Sequence, residues 1–203
     1  MLIRRQIHRS RHFVPLFLIV RLRRWYLYGS KQKSKKMTKL MTRLRAPDNA
    51  MATCLSAPTP VLVVVGALAI LAAQSLISIS LGGLLGYPLP DADPFAARPY
   101  WLKVLGVAVI APFFETLVFQ WALIGVLRGP LRRSWFVAGC VSALIFGLAH
   151  GHTDWRAVRM VATAAILAAV FIIEARRAGP AFKATFFTHA LFNSFTLVLY
   201  ATR

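Results

Sequence analysis

From residue 61 onward the sequence is a succession of apolar runs separated by short polar breaks. The runs cover 61–85, 101–127, 134–150, 157–173 and 181–200. Each approaches or exceeds the ~20 residues that cross a bilayer as a helix, and none alternates with the period of a strand. Five transmembrane helices are therefore expected, an all-α polytopic bundle whose last four spans form the core. Gln74 and a few serines interrupt the first run, and a helix can satisfy such groups internally. Pro112 falls inside the second run, where it should kink the helix and free the carbonyl of Ala108 one turn earlier. The segment 87–99 is rich in Pro and Asp and is expected to be an exposed loop.

Composition agrees with this pattern. Of the 203 residues, 58% are hydrophobic and 15% charged, against about 25% charged in soluble domains. The net charge of +19 is unevenly placed. Residues 1–45 hold 14 of the 25 Lys and Arg and no Asp or Glu. A basic, acid-free segment beside a membrane is expected to contact anionic lipid headgroups. No recognition motif accompanies the charge, so nucleic acid is not an expected partner. Residues 1–56 are expected to form a basic, disordered tail, with a targeting leader or an over-long start as alternatives. The apolar stretch 13–20 within it is too short to span. Residues 57–100 then make the first transmembrane helix and its loop, and 101–203 the core. Cys54 and Cys140 have no metal-type spacing, and no disulfide framework is expected.

Loop charge suggests an orientation. The loops 128–133 and 176–183 carry three basic residues each, and the opposite loops hold Asp91, Asp93 and Asp154. With the basic tail inside, the amino end is cytoplasmic and the carboxyl end outside.

Apart from basic residues at span ends, three ionisable residues lie within or at the edge of apolar spans: Glu115, His150 and His189. A carboxylate at mid-membrane costs roughly 3 kcal/mol on insertion scales, so intramembrane ionisable groups usually face the bundle interior and pair. His189 and Asn193 are four residues apart and share a helix face, as do Phe146 and His150. One carboxylate, two imidazoles and a carboxamide can thus meet in one pocket. A Glu–His pair there suits a general base for water, and a neutral His with an Asn amide suits oxyanion binding. Bland alternatives exist for each. Glu115 could pair with Lys103 or Arg128 by snorkelling, His150 could be interfacial, and His189 with Asn193 could be interhelical glue. His152 and Asp154 are expected to be solvated, and the Phe residues to pack or face lipid. Straight helices would also place the groups at different depths, with His189 about 12 Å, Glu115 about 18 Å and His150 about 24 Å from the inner end, at roughly 1.5 Å per residue. Convergence then requires tilted, kinked or longer helices.

Three motifs in order carry a resemblance: Glu115-Thr116-Leu117-Val118-Phe119-Gln120, Phe146-Gly147-Leu148-Ala149-His150 and His189-Ala190-Leu191-Phe192-Asn193. Over about residues 101–200 they resemble the CPBP family (CAAX protease and bacteriocin-processing, or Abi) of intramembrane proteases. Its pattern is Glu-Glu-x-x-x-Arg on one helix, Phe-x-x-x-His on the next and His-x-x-x-Asn two helices later. The resemblance implies an intramembrane endopeptidase in a bacterial cytoplasmic membrane, acting on a membrane-associated peptide or protein. It assigns Glu115 and His150 to water activation and His189 and Asn193 to the oxyanion, with Phe146, Thr116 and Gln120 in support. The family is often labelled metalloprotease, and Glu115, His150 and His189 would be the ligands of a Zn²⁺ site. A metal-free glutamate mechanism is the preferred expectation, because Asn193 suits an oxyanion better than zinc. Thr116 and Gln120 replace the family's second Glu and its Arg. That paired loss avoids one unmatched charge in hydrocarbon, and a Thr116–Gln120 hydrogen bond could take the ion pair's place. It also raises the alternative of a catalytically degenerate homologue acting as a membrane scaffold or bacteriocin-immunity factor.

Overall fold

A computed structural model describes residues 56–84, 86 and 98–202. The basic tail of residues 1–45 and the loop residues 87–97 lie outside the described residues. Among those described there is no strand.

Five helices form where five apolar runs predict them. They are α1 (Thr59–Gly83), α2 (Tyr100–Arg128), α3 (Trp135–Ala149), α4 (Trp155–Arg176) and α5 (Ala181–Ala201). α1, α2 and α4 are long and apolar enough to cross a membrane. α3 has 15 residues, short of the ~30 Å hydrocarbon core. α5 has 21 but carries Lys183, His189 and Asn193. Outward faces are largely apolar: Val61, Val65, Leu68, Phe136, Leu144, Leu148, Val198 and Leu199 are all exposed, as contact with lipid requires.

α4 is the centre of the bundle, packed mainly against α3, α1 and α5 and also touching α2. Small residues permit this. α4 buries Ala164, Leu167, Ala168, Val170 and Phe171, while α1 offers one stripe, Leu62, Gly66, Ala67, Ile70 and Gln74. A Cβ at Gly66 would lie 2.9 Å from both Thr188 Cγ2 of α5 and Val170 Cγ2 of α4, so glycine sets the three-helix approach. Polar pairs reinforce the packing: Gln74 Nε2 donates to Thr163 Oγ1 at 2.7 Å, and Arg159 Nε donates to Gln74 Oε1.

Helix ends follow local chemistry. Ser134 caps α3, its Oγ accepting from Val137 N, and Asp154 caps α4 by accepting from Arg156 N at 2.9 Å. The Arg156 guanidinium also hydrogen-bonds Asp154 and holds its carboxyl below the usual carboxylate range.

The end of α4 corrects a boundary. The fourth run was expected to stop at residue 173, but the helix continues to Arg176 and carries Glu174 with it, fully buried. Glu174 is therefore a further ionisable group inside the bundle. It survives there because Arg177 pairs with it and also donates to Ala57 O and Thr59 Oγ1, fastening α4 to the start of α1. The helix closes with Gly179 N donating to Glu174 O at 2.8 Å and Ala178 N to Ala175 O at 3.3 Å. The left-handed residue of this turn is Ala178, φ 58°, not the adjacent Gly179.

Candidate active site

α2 carries the carboxylate. Its winding is not uniform. Regular turns at Tyr100–Lys103, Ala111–Glu115 and Ile124–Arg128 alternate with wide i→i+5 turns at Val104–Ile110 and Thr116–Leu123. Wide turns of this kind are rare and often sit at functional sites. They also correct the depth arithmetic. Eight wide-wound residues separate Glu115 from the last turn of α2, and a wider turn rises less per residue. Glu115 is therefore closer to that end of α2 than a regular helix would put it.

His189 Nε2 on α5 stands 3.6 Å from Glu115 Oε2, with the two side chains 4% and 26% exposed. This is a close polar contact, too long for a hydrogen bond. Of the snorkelling alternatives for Glu115, Arg128 is engaged elsewhere: it lies 4.4 Å over the Trp135 ring and donates to Arg133 O.

His150 ends α3, and Gly151 follows it with φ 70°, a left-handed stop that glycine adopts without strain. The imidazole folds back one turn, and its Nδ1 lies 2.8 Å from Phe146 O. A carbonyl only accepts, so Nδ1 carries the hydrogen, and Nε2 is the ring nitrogen left to face other groups. Phe146, buried, stands beside both imidazoles. Its ring centroid is 4.5 Å from that of His150 and 6.1 Å from that of His189. It also meets Phe119 of α2 edge-on at 5.1 Å. Gly147 lets α4 press this turn into place, since a Cβ there would clash with Val161 Cγ2. The motif phenylalanine thus wedges α2, α3 and α5 together around the polar groups.

Asn193 sits one turn beyond His189 on α5. Its Nδ2 donates to Val107 O of α2 at 2.7 Å. Nearby, Phe113 makes edge contacts with Phe182 at 5.6 Å and Phe186 at 6.2 Å, closing the same α2–α5 seam on its apolar side.

Thr116 and Gln120 are fully buried, but the hydrogen bond expected between them is not formed. Thr116 Oγ1 and both amide atoms of Gln120 have no partner among the described residues. Residues four apart meet when both side chains lie along the helix surface. Here both are turned into the packing with neighbouring helices.

Among the described residues, no three of His, Cys, Asp and Glu lie close enough to share a metal. Glu115 and His189 are near one another, and His150 turns its Nδ1 to Phe146 O.

Sequence reasoning missed Ser142, whose Oγ donates to Phe119 O at 2.9 Å and ties α3 to the wide-wound part of α2. It also missed the Gln74–Thr163–Arg159 network. These partners are up to 89 residues apart, and no short motif marks them.

The fold and site define an integral-membrane helical bundle with a Glu–His cluster inside it. Residues 97–195 match the family model described as type II CAAX prenyl endopeptidase Rce1-like. This region is thus similar to the CPBP family of CAAX-type intramembrane proteases that its three motifs resemble. No curated protein and no solved structure matched the chain.

Proposed function

We propose that the protein hydrolyses a peptide bond in a membrane-associated peptide or protein, with Glu115 as the base that activates water. The supporting observation is the 3.6 Å approach of His189 Nε2 to Glu115 Oε2 between two helices. Glu115 takes a proton as water oxygen attacks the scissile carbonyl carbon, and His150 assists through its Nε2. His189, with Asn193, stabilises the oxyanion. The C–N bond then breaks, and the proton held by Glu115 passes to the leaving nitrogen. A positioned base of this kind contributes about 10²–10⁴-fold. No step of this reading is routed through a metal.

The family description directs the choice of substrate towards a prenylated carboxy-terminal CAAX peptide. The test is incubation of purified protein in nanodiscs with such a peptide, prenylated and unprenylated, and product masses read by mass spectrometry. Cleavage of the prenylated form that Glu115→Gln abolishes supports the proposal. A degenerate, non-catalytic homologue is the second reading, favoured by the unpartnered Thr116 and Gln120 where the family pattern has Glu and Arg. It predicts no cleavage product from either peptide.

A further inference from the structure

The hydrogen bond from Asn193 to Val107 O has a cause that lies five residues along α2. In the wide-wound turn, Ala111 N–H closes on Gly106 O, five residues back. In the same register the next donor is residue 112 and the next acceptor Val107 O. Residue 112 is proline and has no N–H. In this register the carbonyl left without its donor by Pro112 is that of Val107, where a regular helix would leave that of Ala108. Asn193 Nδ2 reaches across from α5 and fills the place of the missing donor at 2.7 Å. In hydrocarbon, an unmatched backbone carbonyl must find such a partner.

We propose that Asn193 is a positioning residue. It caps the carbonyl that Pro112 orphans and so fixes the α2–α5 register in which Glu115 meets His189. The two contacts bracket the seam, since Val107 and Glu115 flank Pro112 on α2 and Asn193 and His189 are one turn apart on α5. One of the two amide N–H groups is committed to Val107 O, so removing Asn193 acts through the placement of Glu115 as well as at the oxyanion. The inference rests on the protease reading only for its catalytic consequence.

Asn193→Ala, Pro112→Ala and the double variant separate these effects. Pro112→Ala restores a backbone N–H to α2, so in that background Val107 O no longer depends on Asn193. Thermal unfolding of the full chain in detergent requires no activity and stands if no peptide is cleaved. Asn193→Ala is expected to lower the midpoint by about 3 °C or more in the parent, and by less than half as much with Pro112→Ala. In cleavage assays the double variant is expected to have a kcat at least about tenfold above Asn193→Ala alone. Rescue of this kind is not available to a residue that acts only on the oxyanion. Equal falls of the midpoint in both backgrounds would overturn the proposal, whatever the activities.

Discussion

His189 Nε2 lies 3.6 Å from Glu115 Oε2, across the seam between α5 and α2. The imidazole is almost completely buried, and its Nδ1 has no partner among the described residues. A ring placed this way has one polar face to offer, the one turned to the carboxylate. Its alanine variant should therefore lose transition-state stabilisation more than substrate affinity. The expectation for His189→Ala is a kcat lower by about 100-fold or more with a smaller change in KM. Steady-state kinetics on a reporter peptide checks it, and a rise in KM alone would contradict it.

A carboxylate mechanism without an ion has its own signature. Dialysis of the purified protein against a strong chelator should leave turnover within about twofold, because no described group of three ligands would be emptied. Loss of activity that returns with added Zn²⁺ would instead mean that His150 swings out from Phe146 O to complete a site.

The turn after α4 gives a paired test of the fold. Ala178 adopts φ 58°, at a steric cost of about 1 kcal/mol for a residue with a Cβ. Ala178→Gly should stabilise the protein by several tenths of a kcal/mol, the rest being offset by the freer unfolded chain. Gly179→Ala should do the opposite, because its Cβ would clash with Glu174 Oε2, and Glu174 is clamped by Arg177. Thermal unfolding of both variants at one lipid or detergent concentration reads the signs.

Gln120 is buried, with neither amide atom partnered among the described residues. An apolar residue of similar size removes that desolvation cost, so Gln120→Leu should be stabilising by about 1 kcal/mol. A loss of stability would show that the amide has a polar partner in the membrane.

The helices were legible because each apolar run is long and its breaks are short. The pairings of the candidate site were legible because residues four apart share a helix face whatever the tertiary structure, which joins Phe146 to His150 and His189 to Asn193. Depth was not. Straight, regular helices put Glu115 and His189 about 6 Å apart along the membrane normal, and the wide turns of Thr116–Leu123 lie outside what apolar pattern records. The same wide winding moved the orphaned carbonyl from Ala108 to Val107. Glu174 looked like a loop residue because a charge after an apolar run usually ends it, and only its pairing with Arg177 explains why the helix runs on. The partnership of Gln74 with Thr163 and Arg159 has no local signature, since a lone Gln in an apolar run is compatible with many neighbours.

The central claim is that Glu115, His150 and His189 act together on one peptide bond. Turnover of a reporter peptide by purified protein, with Glu115→Ala, His150→Ala and His189→Ala measured beside the parent, tests it most directly. The account predicts cleavage by the parent and its loss, by about 100-fold or more, in each variant. Unchanged turnover in all three would contradict it.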